Sequence, residues 1–514
     1  MYFMKKIHFI PALLLLCVAN VLVCCSTDDD RQIIPEPPIV RELKRYGVRW
    51  SITDVDDSGQ RCFDAVGKNA SIGCGTASGN SDFDDIYPWS EIKRCNINMT
   101  TGKPIITYEG QPGFALDGSN GDVFVRIPRF KVEKYVEDGY EYRVVSDSTG
   151  HVHSAFIENG RVLDAIYVSA FEGYIDENGR LRSIAEVIPT SNRVPSDFLA
   201  AARANGPDYS LYDMRCVDAV WTLMAVEYGC RNTGRIIGYG AADFEQPRAD
   251  VAPVQVAATG TNEVKVARKL SRVQNYMPVG TNITICRNND QRNILAQRKI
   301  LDIEDAGEGL VSIRFDGPPV DIDLTCFVGS AAITTNFCET GSSDTRLSWH
   351  TGRSNFVNGS DMRNPVRYRW IENIVGSLWH FLPDVTIHNF QMYVCPNMSD
   401  YEFHKTDAPY VPVGGKFVEN WDNGHYTDVT GRNYWITSLF SGDYPLGATF
   451  TRDLTSLQAF GGYYYMGDGT RCIANGGGFD HTWRCNMLTN RAWISPSTRW
   501  YLYGARLMFK DLRM

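Results

Sequence analysis

Residues 474–509 read ANGGGFDHTWRCNMLTNRAWISPSTRWYLYGARLMF, and the rest of the chain is built to present them. The stretch opens on Gly476, Gly477 and Gly478 and closes on a short apolar strand over 504–509. Its middle is too aromatic for a linker and too polar for a core. Tyr, Trp, Arg, Ser and Asn dominate adaptable binding surfaces, because rings give rigid contact area and small polar groups hydrogen-bond flexibly. The stretch predicts a recognition patch carried on a rigid scaffold.

With 514 residues the chain can hold several domains or one elaborated domain. An apolar content of 43% places it among globular proteins, and a net charge of -9 leaves no basic stripe for a nucleic-acid partner. The N-terminus reads as a sorting device. Lys5 and Lys6 precede an apolar run over 7–23, and Leu22-Val23-Cys24-Cys25 follows. The run is short for a transmembrane helix and ends in cysteines, not in a stop-transfer charge cluster. It resembles the lipobox of bacterial lipoproteins, which implies acylation of Cys25, with Cys24 as the alternative, and anchoring in the outer membrane by its acyl chains. Asp28, Asp29 and Asp30 resemble the surface-export signal of some Gram-negative lipoproteins, which implies the outer face of the cell. Of 14 cysteines, those after Cys25 are odd in number, and no CxxC occurs, so zinc-ribbon and thioredoxin-type readings fail.

A signal peptide over 1–25 and a Pro- and charge-rich tether over 26–45 lead into ordered sequence. An alternating strand is expected over 46–52. The 54–59 segment resembles a calcium loop but has Ala65 where the twelfth-position acid belongs, so it reads as a turn. A strand over 121–128 and a hairpin over 131–145 around Asp138-Gly139 follow. His151 and His153 lack a third ligand and read as surface or packed residues. Ser196 is expected to cap a helix ending before Gly206. Asp213 is expected to cap a longer one whose Val217, Val220, Trp221, Met224 and Tyr228 form an apolar face that ends at Gly229. Short alternating strands over 251–328 read as a small β-barrel or β-rich insert. It divides a first part, 46–250, from a second, 329–514. Within the second, 351–359 reads as a polar loop, and strands are expected over 390–395 and 433–440.

GGGFDH, NRAW, SPSTRWYLYGARLMF and, upstream, RYGVRW, FDAVG, DDIYPW, GDVFVRIPRF, LMAVEYGCRNT and YRWIENIVGSLWHF stand in an order that is similar to a known family. They resemble the C-type-lectin-like fold of the formylglycine-generating enzymes, of the variable proteins of diversity-generating retroelements (the phage major tropism determinant type) and of related phage tail and fibre proteins. The resemblance covers most of 46–514 outside the insert. It implies an α+β, C-type-lectin-like fold with a small β-barrel insert, in which the 46–52 strand pairs near the terminal 505–509 strand. It also implies that 476–503 lies across the sheet as a ligand-facing surface. The residues expected to face outward are Phe479, His481, Trp483, Arg484, Asn486, Asn490, Arg491, Trp493, Ser495, Ser497, Arg499, Tyr501 and Tyr503. Two departures stand out. Cys472 and Cys485 do not map onto the close cysteine pair of the copper-dependent formylglycine enzymes. Trp483 and Trp500 are not reached by adenine changes from AAC or AAT codons.

There is no GxSxG, HExxH, P-loop or GxGxxG, and the histidines are scattered without ligand spacing. The expectation is a non-enzymatic, adhesin- or receptor-like protein with no cofactor and no metal. Its expected partner is a protein or glycan on another cell, phage or host surface. Two other readings remain: an oxidase of the formylglycine-generating type, and a prophage-derived tail-fibre or pilus-tip component.

Overall fold

The helical periodicity is realised as α1, Pro195–Arg203, and α2, Met214–Tyr228, in a computed structural model. It describes residues 44–51, 59–70, 81–100, 102–231, 233–241, 251–277, 279–280, 282–287, 294–330, 339–346, 365–389, 391–413, 433–439, 448–451, 462–465, 469–478 and 485–513. The leader with Cys25, nearly all of the tether, most of the 54–59 turn and the 351–359 loop lie outside them. Helix α1 starts earlier than expected. Pro195 takes the first helical position after the extended Val194, and no side chain caps it, so Ser196 lies in the first turn instead. Proline suits that place because its φ is preset and its missing N–H is not needed there.

Helix α2 has the expected ends. Asp213 accepts from the Cys216 N–H at 2.7 Å, and Gly229 closes the helix in the left-handed region at φ 65. Its surroundings are not the expected ones. Every residue from Met214 to Glu227 is buried, so polar Arg215, Asp218, Thr222 and Glu227 are enclosed along with the apolar face. A buried charge must be paired, and here the partners come from distant parts of the chain.

At the helix start, Asp213 takes Lys510 Nζ at 3.0 Å and the Tyr401 hydroxyl at 2.8 Å, while Lys510 also reaches Glu158 at 3.1 Å. Mid-helix, Asp218 receives Lys134 Nζ at 2.7 Å, His153 Nε2 at 2.9 Å and Arg143 Nη1 at 3.4 Å. His153 is thus a packed histidine, while His151 is exposed. At the helix end, Glu227 is gripped by Arg369 through Nε at 2.8 Å and Nη2 at 2.6 Å, and accepts from the Tyr368 hydroxyl at 3.1 Å. Arg369 and Trp370 have φ of 40 and 77 in the two-residue turn that joins Arg367–Tyr368 to Ile371–Glu372. Side chains there cost on the order of 1–3 kcal/mol each and persist only where the surroundings impose them. The two-pronged Arg369–Glu227 pair is such an imposition.

Three sheets frame the helices. The first runs Gln60–Phe63, Arg45–Ser51, Tyr140–Ser146, Lys131–Glu137 and His151–Val152. Its Asp138-Gly139 turn has φ of 49 and 76, as a two-residue hairpin of this twist requires. The second runs Tyr209–Leu211, Leu507–Phe509, Ala165–Ser169, Asp122–Pro128, Lys93–Asn98 and Ile105–Tyr108. The third has nine strands and carries Trp379–His388, Thr470–Asn475 and Thr489–Ile494 next to one another. Helix α2 packs on the first sheet and on Trp379–His388, with Trp221 stacked on Trp50 at 6.0 Å. The architecture is α+β, dominated by antiparallel strands, with few helices.

The expected pairing of the first strand with the last is not made. Arg45–Ser51 pairs with Gln60–Phe63 and Tyr140–Ser146, whereas Leu507–Phe509 pairs with Ala165–Ser169 and Tyr209–Leu211. Burial accounts for the difference. The last strand is apolar and buried along its whole length, which suits an interior place between two buried strands. The first carries Arg45 and Arg49 on a half-exposed face.

Within 251–328, six strands form one sheet in the order Val251–Pro253, Cys326–Ser330, Asn282–Arg287, Ile294–Gly307, Leu310–Phe315 and Glu263–Ala267. A bridge from Val254 to Val266 returns the last strand to the first, and the sheet closes around its own apolar core.

The ion pairs of α2 and the buried carboxyls elsewhere in the fold are each open to test. Arg369→Met leaves Glu227 uncompensated and is expected to lower the unfolding free energy by about 3–5 kcal/mol. The urea midpoint reads this, and a loss below about 1 kcal/mol would mean that the pair is no more than a surface-type contact. The second concerns pH. Burial and the neighbouring Asp213 charge push Asp384, which accepts from the Met214 N–H at 3.0 Å, up to about 8. Burial, with the neighbouring Asp344 charge, pushes Glu372 up to about 7. In the unfolded chain such groups titrate near ~4. The folded chain therefore holds more protons than the unfolded one above ~4, so this stability is complete below that pH, falls as pH rises from ~4, and is fully lost once pH passes 7 and 8. Asp384→Asn mimics the protonated acid. Its melting temperature is expected to exceed that of the parent at a pH above 8 and to match it only near ~3, below the unfolded value; equal midpoints at both pH values would remove Asp384 from the account.

Candidate ligand-binding surface

The tail begins as the strand Thr470–Asn475 and turns on its glycines. Gly476 and Gly477 have φ of 95 and 80. A Cβ on Gly477 would meet Cys485 Sγ at 2.5 Å and its Cα at 2.9 Å, so the chain can return at Cys485 only over a glycine. Gly478 bridges to Ser377, and Thr489–Ile494 then pairs antiparallel with Thr470–Asn475 and parallel with Gly462–Tyr465. The terminal Arg506 is fully buried and donates to the carbonyls of Ser169 at 2.8 Å, Glu372 at 2.6 Å and Asn373 at 3.2 Å. It clasps the end of the tail to two other segments.

Much of the expected outward set faces inward. Asn486, Asn490, Arg491, Tyr501 and Tyr503 are all buried, and their outward placement is corrected. The asparagines satisfy an irregular backbone folded over a core. Asn486 Oδ1 accepts from the Leu488 N–H at 2.8 Å, Asn490 Nδ2 donates to the Leu488 carbonyl at 3.1 Å, and Asn475 Nδ2 donates to Asn490 Oδ1 at 3.0 Å. The Arg491 guanidinium lies 4.5 Å from the Trp379 ring centre and donates to the Tyr503 hydroxyl at 3.2 Å. Tyr503 in turn stacks on Phe381 at 5.2 Å. Tyr501 packs edge-on to the half-buried Trp500. Phe479, His481, Trp483 and Arg484 lie outside the described residues.

What remains outward is compact. Ser497 and Arg499 are exposed, while Trp493 and Ser495 are half-buried. The 495–498 turn satisfies itself: Ser495 N–H donates to Thr498 Oγ1 at 3.0 Å, and Thr498 N–H donates to the Ser495 carbonyl at 3.0 Å. That leaves Pro496 and Ser497 displayed on a fixed loop.

Beside the turn is a mainly apolar groove of about 400 Å³, lined by Leu199 and Arg203 of α1, by Tyr401, Phe403 and His404, and by Pro496. Its walls are tied down. Arg203 Nη2 donates to the Tyr401 carbonyl at 2.8 Å and the Ser399 carbonyl at 3.1 Å, and His404 Nε2 donates to the Ile494 carbonyl at 3.1 Å. Burial pushes the His404 imidazole down. Sequence reasoning did not find Phe403, His404 or Arg203. They stand far from the tail in the chain, and no spacing links them to it.

No group of three or more His, Cys, Asp or Glu side chains among the described residues is placed to hold a metal. Cys472 and Cys485 are both buried. No protein-family model matches the chain, and no curated protein is significantly similar to it.

The tail's two kinds of position separate in a stability measurement. Gly477→Ala is expected to cost more than about 1 kcal/mol, because the positive φ and the Cys485 contact both oppose it. Ser497→Ala is expected to stay within about 0.5 kcal/mol of the parent. Equal denaturant midpoints for the two would show that the glycine turn is not constrained.

Proposed function

We propose that the chain is a lipid-anchored surface protein that presents the 495–499 turn and its neighbouring groove to a protein or glycan on another cell, phage or host surface, from a C-type-lectin-like frame and without catalysis. The observation that carries this reading is the contrast within one tail. Most of its described polar and aromatic side chains are consumed by the interior, yet Ser497 and Arg499 are left exposed beside a groove with fixed walls. A turn that lends Pro496 to an apolar groove and displays an exposed guanidinium three residues on suits recognition, where a few aromatic and Arg anchors carry most of the energy. The frame reading rests on the sequence resemblance, supported by the buried clasp that Arg506 makes in the closing YGARL motif.

Binding of the fluorescently labelled protein to a glycan array and to intact bacterial cells tests this. The double variant Ser497→Trp, Arg499→Ala is expected to lose at least about tenfold in affinity, equivalent to about 1.4 kcal/mol, with its melting temperature unchanged. Undiminished binding by that variant would discard the surface. Turnover of a cysteine peptide with copper, abolished by Cys472→Ser or Cys485→Ser, would replace the proposal with the oxidase reading.

The anchor has its own test. Palmitate labelling in the native host is expected to be lost in Cys25→Ser and kept in Cys24→Ser. The reverse pattern would move the anchor by one residue, and labelling in both single variants and in their combination would end the lipoprotein assignment.

A further inference from the structure

A second cleft, of about 430 Å³, opens where the end of the Lys93–Asn98 strand, the 118–122 turn, the 180–182 strand and Tyr209 meet. It is built from segments other than those of the tail. We propose that this cleft binds a small neutral polyhydroxyl ligand, a sugar unit, through Asp122, Tyr209, Arg180 and Arg182.

The backbone wall is drawn tight by glycines. Gly121 has φ of 92, and a Cβ there would fall 2.1 Å from the Ile97 carbonyl oxygen. Gly118 has φ of 85, and a Cβ there would fall 3.2 Å from Arg182 Nη2. Only glycines allow the turn to lie this close to the strand and to the guanidinium.

Two polar groups on the cleft wall are buried as residues yet incompletely used. Asp122 is 5% exposed; its Oδ1 accepts from Arg182 Nε at 2.9 Å and from the Ser183 N–H at 2.7 Å, and its Oδ2 has no hydrogen-bond partner among the described residues. Tyr209 is 3% exposed, its ring held against Phe509 at 5.0 Å and Phe124 at 6.2 Å, and its hydroxyl likewise has no partner among the described residues. The carboxylate oxygen and the phenol are therefore free to bond to whatever occupies the cleft, where water would otherwise serve them. Neither is closed off, since both residues line the cleft.

Charge selects the class of ligand. Arg182 pairs with Asp122 and, at 3.5 Å, with Asp176, while Arg180 Nη2 pairs with Asp176 at 3.1 Å. Two guanidiniums thus face two carboxylates, and the formal charges cancel. An anion or a cation gains no net attraction there. What projects is a mixture of one carboxylate acceptor, one phenol and residual guanidinium N–H donors. A hydroxyl both donates and accepts, so neighbouring hydroxyls on one ring meet this mixture, the first donating to Asp122 Oδ2 and the next accepting from an arginine. The volume falls at the lower end of the range for ligand pockets, which suits a small ligand. Sites that hydrogen-bond a hydroxyl inside a cleft also discriminate strongly against analogues lacking it.

Titration calorimetry and saturation-transfer NMR on the purified full chain test this. The probes are the methyl glycosides of glucose, galactose, mannose and N-acetylglucosamine, with inorganic phosphate and glycine as charged competitors. Saturable binding of at least one glycoside is expected, weakened at least about tenfold by Tyr209→Phe and by Arg180→Ala. Neither competitor is expected to displace it. Arg180 is partly exposed and its removal leaves the Asp122–Arg182 pair in place, so that variant is expected to stay folded, as circular dichroism will show. Absence of binding by all four glycosides overturns the proposal. So does preferential binding of phosphate or glycine, or glycoside binding that survives both substitutions.

Discussion

The structure depends on the neutralisation of carboxylates enclosed around one helix. Helix α2 is buried on every side, and Asp213, Asp218 and Glu227 sit at its start, middle and end. Burial alone would push such carboxyls up, yet Lys510 with Arg215 and Lys134 with Arg143 hold Asp213 and Asp218 well below the usual carboxylate range. Their cations come from residues 134, 143, 215, 369 and 510, so the helix cannot be enclosed until widely separated parts of the chain are in place. An apolar helix would accept many rotations against its neighbours. A helix with three charges at fixed heights accepts far fewer, which is the specificity role open to buried ion pairs.

The same demand explains which parts of the fold were legible. Local rules decide the ends of α2, because Asp213 and Gly229 act on backbone groups a turn away. They also decide the hairpin at Asp138-Gly139, where positive φ at both turn residues is a local requirement. The short antiparallel strands within 251–328 were readable from alternation and turn residues. The partners of the polar α2 residues were not. Asp218 meets Lys134 and His153, and Glu227 meets Arg369, through pairings that no periodicity encodes. Strand order failed for a related reason. The likeness of the chain ends to known families suggested a pairing of first and last strands, but burial on both faces sends Leu507–Phe509 to the interior of another sheet.

In the tail, composition misled in a particular way. Asn, Arg and Tyr are abundant on binding surfaces because they hydrogen-bond adaptably and present rings. Those capacities serve equally well inside an irregular segment, where Asn486 and Asn490 replace missing backbone partners and Arg491 is taken up by Trp379 and Tyr503. The glycines were the more faithful signal. Their requirement is steric and does not depend on which face of the chain is wet.

Positions can vary in a recognition segment only where a side chain has no structural task. By that criterion the tail is not uniformly variable. Changing Asn490 removes the donor to the Leu488 carbonyl and one of the three acceptors of the Asn475 amide, and changing Arg491 empties the space between two rings, so both positions are tied to the frame. The 495–498 turn closes on itself through Ser495 and Thr498, and within it Ser497 contributes nothing to the enclosed core. Arg499, just beyond, is likewise exposed. Diversity confined to such places changes what is touched without changing how the chain folds. On this criterion substitution is accepted first at the exposed turn and last at the buried asparagines.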